Sequence, residues 1–263
     1  MELNRIERTR RVRRSRESRP FKAFYEQFQA HFQSEDELSA STVSSGTKWL
    51  LQRAFVISVV TATEVYFRDM LDAIFRMCKS EVFLPKLRDL HKAKYDIDDL
   101  VSIYVHRVHP CELILDGLSF QRVDTVERVF SALLGKPFWK SVAPVQVRVK
   151  DEPSKVLEIK PEAVFKYGQL LQLRHELIHN PDGHKRKLSA EELDWLYETP
   201  ALILACDLLL TSYISENIDP ELKQKRNAQQ SAAPSSRAPA KMPTSPQAQS
   251  SNSQRTSSLS GCG

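Results

Sequence analysis

Residues 47–79, TKWLLQRAFVISVVTATEVYFRDMLDAIFRMCK, contain neither glycine nor proline. A run of that length without a breaker predicts one long helix, about 50 Å from end to end at 1.5 Å per residue. Any fold this chain adopts must surround such a rod. Glycine occurs only seven times in 263 residues, and strand-and-turn signals are sparse, so the remaining elements are expected to be mostly helical too. The most continuous apolar stretch, ALILACDLLLTSYI, carries Asp207 in its middle and falls short of the roughly 18 apolar residues of a membrane span.

Further helices are legible from periodicity and stop signals. Phe21, Phe24, Phe28 and Phe32 recur three and four apart in FKAFYEQFQAHFQ (21–33), as one helix face requires. Helices are predicted at 97–108 and at 124–134, the second ending at Gly135 and Pro137 in good stop order. The stretch PVQVRVKDEPSKVLEIK (144–160) alternates around DEPS and permits a small hairpin insertion. A helix then starts at Pro161, a favoured first position, and ends before Pro181. The last begins at Ser189 and Glu192, which have capping-box spacing, and runs to about residue 217 with Pro200 as a kink or break. The reading is an all-α helical bundle over 21–221, between an arginine-rich arm (1–20) and a basic Ser/Pro/Gln-rich tail (222–263). The tail is too polar to offset its ordering entropy and is expected to be disordered.

The net charge of +5 points to nucleic acid less than it first suggests. The arm holds eight arginines against three glutamates, the tail six basic residues and no acidic one, and the domain between them is acidic. Basicity is therefore local. The arm reads as a helix with a solvated face, an unstructured tail or a phosphate-binding segment. Four scattered cysteines (Cys78, Cys111, Cys206, Cys262) form no CxxC pair, which suits a reduced, cytoplasmic setting. The charged start has no apolar segment behind it and does not read as a secretory signal.

One helix breaks its own pattern. On 161–180, Ala163, Val164, Tyr167, Leu170, Leu171, Leu173, Leu177 and Ile178 make a broad apolar stripe at about 100° per residue, and Arg174 projects from it. An arginine in such company needs a carboxylate or an anionic ligand. Glu64 shares a face with Ile57, Val60, Phe67 and Leu71, and is the expected partner in a structural bridge. His175 and His179 lie four residues apart on a common edge. His179 falls in the final turn, where unsatisfied carbonyls favour an imidazolium able to donate a proton.

Arg174-His175-Glu-Leu-Ile-His179 resembles the R-polar-x-x-x-H motif of HEPN domains, helical bundles found in many RNA-cleaving proteins. TATEVYFRDML resembles the first core helix of that family, and SFQRVDTVERVFSALLGKPFW (119–139) a segment of its RiboL-PSP-HEPN-like branch. The resemblance covers roughly residues 45–215. It implies a metal-independent, cofactor-free endoribonuclease working as a homodimer with both motifs in one composite cleft, in a toxin, defence or RNA-processing role and with a neutralising protein partner in the toxin case. It implies His179 as acid/base catalyst, Arg174 as the phosphate-stabilising cation, His175 as a positioning group, and Glu64 and Asn180 as support. RNA needs only a proton shuttle and a cation from the protein, because it carries its own nucleophile. His184, Lys185, Arg186 and Lys187 form a basic patch that reads as a phosphate-tracking surface. The alternative is a catalytically silent bundle that binds RNA or protein. His106, His109 and Cys111 in HRVHPCE could hold a metal but lack a fourth ligand, and no glycine-rich phosphate loop or nucleophile elbow is present.

Overall fold

A computed structural model of the chain describes residues 3–14, 19–39, 42–87, 90, 94–148, 156–180, 187–222 and 224. The helices are α1 (Leu3–Arg14), α2 (Pro20–Ser39), α3 (Ser45–Met77), α4 (Ser80–Leu87) and α5 (Ile97–Val105), then α6 (Pro110–Asp116), α7 (Val123–Leu134) and α8 (Phe138–Val142). Strands β1 (Gln146–Arg148) and β2 (Val156–Glu158) precede α9 (Pro161–His179) and α10 (Ala190–Asn217). The tail beyond residue 224, for which disorder was expected, lies outside the described residues.

The unbroken run folds as α3, and three other long helices pack along it. Phe28 of α2 meets Phe55 (ring centroids 5.5 Å apart) and Phe24 meets Tyr66 (6.4 Å), so the numbering of α2 falls as that of α3 rises. The two are antiparallel. On α9, the Tyr167 hydroxyl donates to Thr63 Oγ1 at 3.1 Å, and the Arg53 guanidinium of α3 donates to the Leu177 carbonyl. This helix too runs against α3. The far ends of α3 and α10 lie together instead: Lys79 N donates to the Asn217 carbonyl (3.2 Å) and Asp219 N to that of Met77 (2.9 Å). The result is a four-helix bundle of two antiparallel pairs. Among the described residues α3 is the one helix long and apolar enough to cross a membrane, and in this fold α2, α9 and α10 pack against it.

Local signals explain the ends. Ser189 and Glu192 form the predicted capping box, with bonds of 3.1 and 2.7 Å, and Pro200 lies inside α10 without ending it. Gly135 closes α7 at φ 70°, a left-handed conformation that favours glycine. Helix α5 stops short of residue 108, where Arg107 turns to φ 49°. Within 144–160, β1 and β2 pair antiparallel with Gln146 opposite Glu158 and Arg148 opposite Val156. Beyond the bundle, Glu127 and Ser131 of α7 accept the Trp139 and Phe138 amides at 3.0 and 2.8 Å, fixing α8 against α7.

The arginine-rich segment folds as α1 and docks on α6. Leu3 and Ile6 bury against Val108 and Leu113, a small satellite of the main core. Arg5 clasps Asp116 through Nε and Nη2 (2.9 and 2.5 Å), and Arg10 clasps Glu112 likewise (2.7 and 2.6 Å). Those two guanidiniums are therefore committed to carboxylates of this chain rather than to phosphate. His106 and His109 also have structural roles. His106 pairs with Glu7 at 2.8 Å, and His109 caps α6 by accepting the Cys111 amide at 3.2 Å. Burial pushes the Cys111 thiol up to about 11.

Asp207, the charge inside the most apolar stretch, is held near Tyr66 (O···O 3.4 Å) on the α3 side of α10. Burial raises its carboxyl from the ordinary 3.8 to about 6, against a smaller lowering by the Tyr66 hydroxyl. The folded chain thus takes up this proton more readily than the unfolded chain. Asp207 contributes most to stability below its ordinary value, and that contribution is lost as pH rises through about 6. Asp207→Asn is expected to stabilise the fold by about 1–3 kcal/mol near pH 8 and to have little effect near pH 4. Urea midpoints of both proteins at the two pH values test this; an equal difference at both would remove the assignment.

Candidate active site at the end of helix α9

Helix α9 begins at Pro161, whose missing amide suits the first helical position, and ends at His179 with Asn180 as its cap. Tyr167, Leu170, Leu171, Leu173 and Leu177 are buried as the stripe requires, with Ala163 and Val164 partly so. Ile178 differs. It is 41% exposed, so the buried stripe narrows towards the C-terminal end and opens on the side next to His179.

Arg174 lies at that opening. Its residue is half-buried, and its Nε is fully enclosed without a hydrogen-bond partner. The expected bridge to Glu64 does not form. Glu64 instead accepts from Gln121 Nε2 at 3.0 Å and pairs with Arg68, one turn on, at 3.5 Å. The reason is register. Thr63 stands level with Tyr167, and Arg53 with Leu177. Glu64 is therefore level with residue 166 of α9, while Arg174 is level with residue 56 of α3. Eight residues separate them along the axis, roughly 12 Å at 1.5 Å per residue. Glu64 supports Gln121 and Arg68, not the arginine of the motif.

The imidazoles of His175 and His179 touch, with ring centroids 4.4 Å apart and planes inclined at 52°, and both residues are exposed. Asn180 is exposed, and its amide donates to the Glu176 carbonyl at 2.8 Å, closing the helix directly after His179. His175 and His179 stand about 100° and 140° round from Arg174, so the exposed histidine edge and the arginine occupy neighbouring sectors of the last turns of α9. Of the basic patch, His184, Lys185 and Arg186 lie outside the described residues, and Lys187 is exposed.

Arg53 was missed in the sequence. Its guanidinium donates to the Leu177 carbonyl, one of the acceptors that the last turn of α9 leaves unsatisfied. It shares with Glu64 the α3 face of Ile57, Val60, Phe67 and Leu71, three turns earlier, so extending that stripe backwards would have found it. A fixed cation at this turn holds in place the segment that carries both histidines.

The arrangement combines a partly enclosed guanidinium lacking a protein partner among the described residues with two solvent-facing imidazoles. Chemically the same helix end offers a cation for an anion and imidazoles able to accept and return protons. Among the described residues no cluster of three or more His, Cys, Asp and Glu has metal-binding spacing. Comparison with protein-family models, with curated proteins and with solved structures finds no match to this chain.

Proposed function

We propose that this chain is a metal-independent endoribonuclease of the HEPN type, with Arg174, His175 and His179 as its working groups. The observation that carries the reading is Arg174. A structural arginine of a helical core is paired, whereas this one has a buried Nε with nothing to donate to and directly precedes, in sequence, the first of two exposed histidines in ring contact. The half-buried guanidinium, through its nitrogens other than the enclosed Nε, is the group that meets a phosphate oxygen in this reading.

In this reading the scissile phosphate lies against Arg174. His179 takes the proton of the ribose 2′-hydroxyl as that oxygen attacks phosphorus. The bond to the 5′ oxygen breaks, a protonated imidazole returns a proton to the leaving oxygen, and a cyclic phosphate remains. Arg174 stabilises the charge that builds on the phosphoryl oxygens, and His175 holds His179 by ring contact. Arg53 keeps the last turn in place. A second copy of the chain brings its own motif to the same cleft, and a toxin or defence role with a neutralising partner is consistent with such an activity. Asn180 and Lys187 flank the site.

The test is cleavage of mixed cellular RNA by the purified full chain in EDTA, beside His179→Ala and Arg174→Ala. Wild type should leave cyclic-phosphate ends, and each substitution should slow cleavage roughly a hundredfold or more. Folded wild type that binds RNA or a protein partner and leaves RNA intact would replace the nuclease with a silent binding module.

A further inference from the structure

The outer face of α9 carries one residue that its buried stripe does not account for. Phe165 is 67% exposed, the most exposed phenylalanine among the described residues. Its position is not arbitrary. Phe165, Gln172 and His179 follow one another at seven-residue intervals, each drifting only about 20° from the last, and all three are exposed. They form one nearly straight row along the helix. At 1.5 Å per residue the row is about 21 Å long, which is the reach of a few nucleotides of single strand. His175, in ring contact with His179, stands beside its C-terminal end.

The two flanks of the row differ in charge. On the Arg174 side lies Gly168, against which Val123 at the start of α7 is packed. Arg122 precedes Val123, exposed and held to an equally exposed Asp124 only at 3.5 Å, a pair worth little in water. On the other flank come Glu162 and Glu176, both exposed. A polyanion laid along the row is therefore drawn to the flank of Arg122 and Arg174 and repelled from the other. The size of the apolar feature narrows the occupant further. A protein face or a lipid surface needs a contiguous apolar patch, whereas here one ring stands among Glu162, Gly168, Gln169 and Gln172 on its own helix. A nucleobase needs only one ring to stack on, and must be unpaired to do so.

We infer that Phe165 is a stacking platform for an unpaired base of an RNA strand that runs along the outer face of α9 from the histidine end, past Gln172. The inference rests on the proposal that RNA is bound at that end, and adds to it that the substrate is single-stranded a few nucleotides away. Phe165 is a positioning residue, remote from the scissile bond. Stacking gives affinity with little regard to which base is present.

The experiment measures binding of a short unstructured RNA by the full chain carrying His179→Ala, with residue 165 as Phe, Ala or Tyr. Strands lacking the base at one position, taken in turn, are measured beside the intact strand. Phe165→Ala should weaken binding roughly tenfold, and Phe165→Tyr should retain it. Loss of one particular base should weaken binding to the Phe165 protein by a similar factor and have no further effect on Phe165→Ala, a coupling that a purely structural role does not produce. Helical signal and sedimentation should be the same for all three proteins. Equal binding by Phe165 and its alanine variant would overturn the inference. So would base deletions that act identically on both, or a change of oligomeric state in Phe165→Ala, which would assign the ring to a contact between copies. Cleavage by the chain with His179 intact is scored separately. RNA that is bound through Phe165 but left uncut removes the nuclease and keeps the strand path, cutting with an indifferent Phe165 does the reverse, and no binding of RNA removes both.

Discussion

Phe67→Ala is expected to cost about 3–5 kcal/mol, which is much of the 5–15 kcal/mol that holds a typical domain together. Phe67 is completely buried in α3, and its ring lies within 6.4 Å of the rings of Tyr66, Phe120, Phe130, Phe138 and Trp139. Those rings belong to α3, the segment before α7, α7 itself and α8. One side chain thus joins the bundle to the elements that cover it. Truncation removes the transfer energy and the aromatic contacts together, and close packing on all sides leaves the hole poorly able to collapse. Urea denaturation should show a large fall in midpoint at nearly constant slope. Phe165→Ala is the control, because Phe165 is 67% exposed on α9 and its loss should change stability by no more than about 0.5 kcal/mol. Similar losses for the two would mean that α7 and α8 are not fixed on α3 through Phe67.

The sequence made the helices legible where pattern and punctuation agreed. The run without breakers became α3, Pro161 opened α9, the capping box opened α10 and Gly135 closed α7. Shorter pieces were obscured by composition. HRVHPCE looks like scattered metal ligands, yet Pro110 and Glu112 with His109 are the start of α6, and His106 serves α1 through Glu7. The docking of α1 was not readable from its arginines alone. Arg5 and Arg10 find Asp116 and Glu112 only once α6 has set those carboxylates one turn apart. The same limit applied at the site. Helical periodicity places Glu64 and Arg174 each on an apolar face, but it does not say how far one helix slides along the other. That register left Arg174 opposite residue 56 and made Arg53 the neighbour of the motif's last turn. The face is a local property, and the height is a tertiary one.

That unpaired height leads to a test in which stability and activity should move in opposite directions. Arg174→Met keeps the length and apolar stem of the side chain and removes a cation whose Nε is enclosed without an acceptor. Relief of an unsatisfied buried donor is expected to stabilise the fold by about 1 kcal/mol, and in any case not to weaken it. RNA cleavage, in contrast, should be lost, since methionine offers nothing to a phosphoryl oxygen. Arg174→Lys separates charge from geometry. A lysine restores the cation without the planar fork, so it should recover binding of RNA better than the rate of cleavage. The opposite result has an equally definite meaning. If Arg174→Met lowers stability by about 3–5 kcal/mol, the guanidinium is half of a buried ion pair, as the sequence first suggested with Glu64. A more stable protein that no longer cuts RNA is what a residue kept for its ligand should produce, because the fold then carries the cost of an enclosed Nε for the sake of the cation beyond it.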